Sequence, residues 1–363
     1  MHDAPEHEWR HLNFFEHQTY VRARQPRVKC GKHGVKQVEV PWARPGSGFT
    51  LLFEAFLLAL VQNGMPVAAV ARIVDEHDTR LWRMLKEYVE LGLERLDLSG
   101  MTRLGVDETS RARGHNYLSL FVDPAKPRVA DIELGRDAEV LAKFRDKLVG
   151  HGGDPAKITD VTLDMSPAFI KGVRENFPNA KMTFDKFHVV ALVNEAVDQV
   201  RREEQNALPK GEKRGLKDGR FLFLRNAQDL TESQRERFAA VAAIAKKTAR
   251  AWRYREQLQE MYRQEDSTEA RAWAERWIKS AVRSRLAPIV RVARTLRSHL
   301  DGVLRWFDSR LTNALLEGFS SLVQSAKAAA RGYRNPFYMS LVIYLRLGKL
   351  DLKWTPSTQA VSI

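Results

Sequence analysis

Three carboxylates stand out in this 363-residue chain by the company they keep. Asp107 lies in Gly105-Val106-Asp107-Glu108-Thr109-Ser110 and Asp164 in Leu163-Asp164-Met165-Ser166, each at the end of a strand-like apolar run. Glu317 lies far downstream in Asn313-Ala314-Leu315-Leu316-Glu317-Gly318, on a helix-like run. Carboxylates are the oxygen ligands that a hard divalent cation such as Mg²⁺ or Mn²⁺ prefers. Two such ions about 3.5–4 Å apart can keep the attacking and leaving oxygens of a phosphodiester in line. Taken singly, each acid has a plainer reading. Asp164 could cap the helix that begins near Pro167, and Asp107 could simply end a strand.

The charge balance points to a polyanionic partner. Lys and Arg number 59 against 45 Asp and Glu, a formal net charge of +14, and every phosphate a protein neutralises releases condensed counterions. RNA or a membrane surface would satisfy that balance too. Distribution says more: residues 276–300 hold seven Lys or Arg and no acid, and residues 318–350 hold five and no acid. A solvated helix face usually mixes signs, so these segments read as phosphate-binding and Glu317 as a lone carboxylate at the mouth of a cationic stretch. No apolar run reaches the roughly 18 residues that cross a bilayer, and Met1-His2-Asp3-Ala4-Pro5 does not start a signal peptide. The single cysteine, Cys30, excludes an internal disulfide framework and fits a reducing cytoplasm. A cytoplasmic, nucleoid-associated protein is expected.

The elements that must position the acids can be read in order. Residues 1–48 form a small irregular module with strands at Tyr20–Arg24 and Val35–Val40, and Cys30-Gly31-Lys32-His33 between them. Cys30 and His33 have the spacing of half a zinc site, but a structural site needs four ligands, and no second pair precedes them. Zinc is not expected. Residues 49–98 read as helix, tight turn, short helix, turn and third helix, with Thr79 as the cap of the last: a helix-turn-helix DNA reader. Arg80, Arg83 and Lys86 fall on one face, opposite Leu81, Leu85 and Val89. From residue 99 the texture changes to strands at Thr102–Asp107, Tyr117–Asp123 and Val129–Leu134. A helix (Ala138–Val149), a strand (Ile158–Leu163), a helix (Pro167–Asn176) and a strand (Ala180–Phe184) follow.

Three strands, then helix-strand-helix-strand, is the order of a ribonuclease-H-like α/β core with a mixed five-stranded sheet. In it the fourth strand lies parallel beside the first and brings their ends together. Residues 189–310 read as a large all-helical insertion in which the tryptophans (Trp252, Trp273, Trp277, Trp306) are core, and Pro209–Gly215 as a mobile loop. Residues 311–363 return to the catalytic core and add a C-terminal apolar helix at Pro336–Leu347. Around Glu317 the polar residues Asn313, Ser320, Ser321, Gln324 and Lys327 form one stripe, and Leu315, Phe319, Leu322, Val323, Ala326 and Ala330 the other.

Several of these stretches together resemble the ISL-three family of bacterial insertion-sequence transposases. They are the Asp107 and Asp164 motifs, Phe184-Asp185-Lys186-Phe187-His188-Val189-Val190, Asn313 to Gly318, and Arg331-Gly332-Tyr333-Arg334-Asn335. The likeness runs from about residue 20 to 347. It implies metal-dependent DNA strand cleavage and strand transfer, with Asp107, Asp164 and Glu317 as the acidic triad, two Mg²⁺ or Mn²⁺ ions, and double-stranded DNA as partner. Cutting two element ends together implies a homodimer or larger assembly on DNA. Asp185 is an auxiliary metal ligand or else a helix cap, and His188 a phosphate contact or else a packed side chain. Lys327, Arg331 and Arg334 are candidate grips on the DNA backbone, since guanidinium forks match phosphate oxygens. Two departures stand out: the family's four-cysteine module is reduced to Cys30 and His33, and two asparagines expected after Glu317 are Ser320 and Ser321. The rival readings are a DNA-binding regulator that has lost catalysis and a nuclease of the same fold.

Overall fold

Two hairpins open the chain. β1 (Glu6–Arg10) pairs antiparallel with β2 (Tyr20–Arg24), and β3 (Arg27–Cys30) with β4 (Gly34–Gln37). The computed structural model describes residues 2–112, 116–309 and 314–353. The strand expected at Val35–Val40 starts one residue earlier and stops at Gln37. β1 lacks apolar alternation, and β3 alternates over only the four residues Arg27–Cys30, too short a run to read as a strand.

The helix-turn-helix follows as α1 (Leu51–Gln62), α2 (Val67–Val74) and α3 (Asp78–Glu94). Thr50 caps α1 by accepting from the Phe53 N–H. α3 begins with His77 at the cap position, not Thr79. Asp75 turns left-handed (φ 53°) and ends α2 abruptly, so the chain re-enters a helix sooner, with the Asp78 carboxylate in the first turn where the helix dipole favours it. The module is tied together by Glu54, which is fully buried. It accepts from Arg44 Nε and Nη2 (2.8 Å each), the Tyr88 hydroxyl (2.8 Å) and Ser47 Oγ (2.7 Å).

The central sheet is built from β5 (Arg103–Ala112), β6 (Asn116–Asp123) and β7 (Arg128–Leu134), then α4 (Glu139–Gly150), β8 (Asp160–Leu163), α5 (Pro167–Asn176) and β9 (Lys181–Phe184). The strand order is β7-β6-β5-β8-β9. β6 pairs antiparallel with both β5 and β7, while β5, β8 and β9 are parallel to one another. Alternation along each strand sends side chains to two different cores. Leu104, Val106, Phe121, Val161, Leu163 and Phe184 join α4, α5 and the helices that come next. Leu118, Leu120, Val122, Val129 and Ile132 face the other way, into a core shared with the helix-turn-helix.

After β9 come α6 (Lys186–Ala207), α7 (Lys210–Asp218), α8 (Glu232–Ile244), α9 (Lys246–Met261), α10 (Ser267–Val282), α11 (Ala287–Ser298) and α12 (Leu300–Ser309). The stretch expected as a mobile loop, Pro209–Gly215, mostly lies in α7, which is anchored by the buried Leu216. Trp277 and Trp306 are buried, while Trp252 and Trp273 are half-buried against the same core, their indole N–H groups donating to the carbonyls of Arg225 and Gln257. Finally α13 (Ala314–Ala329) crosses back to β5, and α14 (Pro336–Leu347) wedges between the sheet and the helix-turn-helix, packing on α1, α3 and β7. The expected helix start at Leu311 and the polar residue Asn313 lie outside the described residues.

Candidate active site

The strand register aligns the aspartates. Gly105 pairs with Thr162, and Thr162 with Thr183. Two residues further along each chain stand Asp107, Asp164 and Asp185, one row across three adjacent parallel strands: Asp164 and Asp185 lie just past the ends of β8 and β9, whereas β5 does not end at Asp107 as expected but continues to Ala112, paired with β6. Side chains repeat every second residue on one face, and neighbouring strands lie about 4.8 Å apart. The row therefore places the three acids side by side on one face. That face carries small or polar residues on these strands (Gly105, Thr109, Thr162, Thr183), whereas the opposite face places Leu104, Val106, Val161, Leu163 and Phe184 in the apolar core.

α13 brings the fourth acid. It lies along β5 nearly in step with it: Leu316 packs on Gly105, Ser320 Oγ donates to Asp107 Oδ2, and Gln324 Nε2 donates to Thr109 Oγ1 and to the Ser110 carbonyl. Four helical residues rise about 6 Å, close to the roughly 6.6 Å of two strand residues. Hence every fourth helix position meets every second strand position. Gly105 permits the approach, because a Cβ there would sit 2.8 Å from Leu316 Cδ2. Glu317 stands one turn before Ser320 on the same polar stripe, exposed towards the acid row.

The electrostatics agree with this crowding. Burial raises the Asp107 carboxyl above its ordinary value, and the negative charge of Asp164 adds to the rise. The Ser320 hydrogen bond, the nearby His188 and the Glu108 N–H work against it. The Glu317 carboxyl is raised as well, first by partial desolvation and then by Asp185 and Asp107, with His188 and Lys186 opposing. Glu108 is raised by burial and by Asp164 and Asp107, against its ion pair with Arg136 at 3.5 Å. Carboxyls raised by each other's charge are carboxyls that a cation between them would relieve. Among the described residues no three such side chains are close enough to hold one ion as they stand.

The remaining candidates divide. Asp185 is buried and caps α6, accepting from the Phe187 N–H at 3.2 Å. His188, one turn into α6, is half-buried and near enough to Asp107 and Glu317 to oppose the rise of both carboxyls. Asp164 accepts from the Ser166 N–H at 2.9 Å with one oxygen, a local turn that leads into α5. Arg83 and Lys86 project from α3 into solvent, and Arg331 and Arg334 are exposed beyond α13. Arg80, in contrast, is held by Glu76 (2.6 Å) and lies over the Phe49 ring. Lys327 donates to the Ser110 carbonyl at 2.7 Å. Both cations are thus engaged within the chain. Cys30 ends β3, with its Sγ 3.4 Å from His33 Nδ1 across the hairpin turn. Two contributors were missed from sequence. Ser320 stands on the polar stripe of Glu317's helix, at one of the two positions where the resemblance leads to asparagine, but its bond to Asp107 depends on how α13 docks. Glu108 stands next to Asp107 in the same motif, but its part depends on Arg136 and on the charges of Asp107 and Asp164.

Residues 104–343 match a family described as transposase, of the DDE, ISL3 type. Residues 38–89 match the helix-turn-helix domain of transposase family ISL3, and residues 1–33 the zinc-finger of transposase IS204/IS1001/IS1096/IS1165. The chain is 29% identical over 358 residues to the transposase for insertion sequence element IS1557 of Mycobacterium tuberculosis, which covers 91% of this chain and 79% of that protein. It is 26% identical over 347 residues to the transposase for insertion sequence element IS1001 of Bordetella parapertussis, covering 94% and 85% respectively. The zinc-finger match weakens the expectation that the N-terminal module binds no zinc.

Proposed function

The chain belongs to the ISL3 family of transposases, and on that premise we propose that Asp107, Asp164 and Glu317 carry its DNA strand cleavage and strand transfer. The observation that supports this most directly is the register row of aspartates with α13 docked in step beside it. The strand order, with three antiparallel strands followed by two parallel additions, favours a ribonuclease-H-like core. On this reading residues 1–48 are the N-terminal module, 49–98 the DNA-reading helices, 99–188 and 311–363 the catalytic core, and 189–310 the insertion. The helix-turn-helix would recognise the terminal inverted repeats through the exposed face of Arg83 and Lys86.

The residues present fit Mg²⁺ or Mn²⁺ by chemistry, since every group in the row is a hard oxygen donor and the raised carboxyls of Asp107 and Glu317 mark an uncompensated negative site. Two divalent ions, when bound, supply charge stabilisation at the attacking and leaving oxygens. Asp107 would hold them from the middle of β5, Asp164 from the end of β8 and Glu317 from α13, with Asp185 as a further ligand. Ser320 and the Glu108 N–H each fix one oxygen of Asp107 and so orient it. Water displaces the 3′-oxygen at the element's end, and the freed 3′-hydroxyl then attacks a target phosphodiester, so no covalent protein–DNA intermediate is needed. At the other end of the chain, Cys30 and His33 offer half of a zinc site.

The test is cleavage of a DNA carrying the flanking element ends, with Mg²⁺ or Mn²⁺. Asp164→Asn should abolish cutting while duplex binding persists. Cutting that survives excess EDTA would count against the metal-dependent reading. Strand-joined products from a 3′-hydroxyl donor separate a transposase from a nuclease of the same fold, and two-end products that appear only above a threshold protein concentration would indicate a dimer on DNA.

A further inference from the structure

The seven-cation segment at residues 276–300 is not absorbed by the acid row, and the fold shows where part of it leads. Arg291, Arg294 and Arg297 recur at three-residue intervals along α11, opposite the buried Ile289, Val292, Ala293 and Leu296. Arg297, at the end of that row, lines an open concavity of about 410 Å³ together with Arg174 of α5, Lys181 of β9 and Arg305 of α12. The acids around it are partly engaged. Asp160 takes a hydrogen bond from Arg305 (2.5 Å), and Asp301 one from Arg271 (2.6 Å). That leaves Asp308 in the lining to face Arg174, Lys181 and Arg297, which are exposed and make no ion pair among the described residues. His299 in the wall feels the excess. Burial and then the charge of Arg174 lower its pKa.

The concavity lies on the β9 edge of the sheet. Lys181 precedes Asp185 by four residues of extended chain, about 13 Å at 3.3 Å per residue. That is about four base-pair rises of a duplex at 3.4 Å each.

We propose that this concavity is a second phosphate-backbone site, where Arg174, Lys181 and Arg297 grip the DNA being cut about four base pairs from the phosphate at the acid row. The ligand chemistry is a run of phosphodiesters, matched by two guanidinium forks and an ammonium. The placement rests on the acid row being the cleavage site, but the binding itself can be read without cleavage.

The experiment measures binding of a labelled 40-base-pair element-end duplex in EDTA across a salt series. Three variants are compared with the parent: the triple Arg174→Gln, Lys181→Gln, Arg297→Gln; a control triple on α9, Lys246→Gln, Lys247→Gln, Arg253→Gln; and Asp107→Asn. Each phosphate contact contributes about 0.9 to the slope of log K against log salt, so the first triple should flatten it by about 2.7, with the control nearly unchanged. Single variants at these exposed positions should flatten it by about 0.9 apiece, which keeps the test open if the triple fails to fold. An unchanged slope in the pocket variants, or an equal loss in the control, overturns the site. If the triple binds the element end as the parent does, and loses only the joining of pre-cut 3′-hydroxyl ends to a target plasmid, the assignment to the cut DNA is wrong. Asp107→Asn separates the two readings: normal cutting by that variant would sink the acid row, while the salt slopes judge the concavity alone.

Discussion

Gly105→Ala should slow strand cleavage by about 100-fold without weakening duplex binding. An ideal Cβ at Gly105 would stand 2.8 Å from Leu316 Cδ2, 3.1 Å from Cδ1 and 3.2 Å from Cγ. Carbon atoms in contact prefer about 3.5–4.0 Å, so the methyl demands up to roughly 1 Å of extra space. Leu316 is only 3% exposed and has little room to swing aside. Either it leaves its rotamer or α13 lifts from β5, at a cost of about 1–3 kcal/mol. Glu317 follows Leu316 directly and Ser320 comes one turn later, so a lift carries both away from Asp107. A misplacement of about 1 Å in a reacting constellation can cost about 10²-fold. The assay is single-turnover cutting of a labelled element-end duplex, with binding in EDTA and thermal melting as controls. Leu316→Ala in the same chain restores space, so the double variant should cut faster than Gly105→Ala alone, with a coupling of about 0.5–3 kcal/mol in the cycle. Parent-rate cutting by Gly105→Ala, with parent melting, would refute the close-approach argument.

Three further outcomes follow from the same contacts. Ser320→Ala removes a hydrogen bond to a carboxylate, worth about 1.5–3 kcal/mol, and should slow cutting by about 10–100-fold; Ser320→Asn, which keeps a donor, should recover much of the rate in the same assay. Glu54→Ala leaves the buried Arg44 guanidinium without its bidentate partner, and urea unfolding should show a loss of about 3–5 kcal/mol. The Asp107 and Glu317 carboxyls are raised above their unfolded values, so in the metal-free protein their contribution to stability is present at acid pH and lost as pH rises through the folded values. Mg²⁺ or Mn²⁺ needs them ionised. The metal-induced rise in melting temperature should therefore be largest near neutral pH and shrink on acidification, beginning above the ordinary carboxylate value of about 4. An equal rise in Asp107→Asn would exclude this site as its source.

The sheet and its flanking helices were legible because local chemistry and tertiary fate agree there. Leu104, Val106, Val161 and Leu163 alternate with small or polar residues, Pro167 opens α5 at its first position, and the boundaries of α1, α2 and α14 fall where apolar periodicity begins and ends. Legibility ended where a residue's role depends on a distant partner. Arg80 has the spacing of a DNA contact, yet Glu76 and the Phe49 ring claim it. Lys327 looks like a free cation until the Ser110 carbonyl comes within reach across 217 residues. α7 carries two glycines and a run of charges that suggest a loop, but Leu216 finds a core that sequence alone could not foresee. Asp107 and Asp164 could be placed beside each other from strand order, whereas the in-step docking of α13, and with it Ser320, required the helix itself.

How the acids would hold an ion in the proposed site follows from what anchors α13. Its contacts to β5 through Ser320, Gln324 and Lys327 all lie after Glu317, and Leu316 seats its first turn on Gly105. The backbone is thus pinned on both sides of Glu317 while the side chain is exposed and repelled by Asp107 and Asp185. Ordering one glutamate side chain costs about 1.5–2 kcal/mol. Two unit charges about 4 Å apart attract by about 4 kcal/mol at an effective dielectric of 20, and a divalent ion doubles this. On energy, the proposed site would therefore need only rotation of the Glu317 side chain, without movement of the α6–α12 insertion. Hydrogen exchange with and without Mn²⁺ distinguishes the two. Rotation alone should slow exchange at α13, around Asp107 in β5 and at the end of β8, leaving α8 to α11 unchanged. Protection that spreads through the insertion on metal addition, without DNA, would mean that the acids are gathered by a domain movement instead.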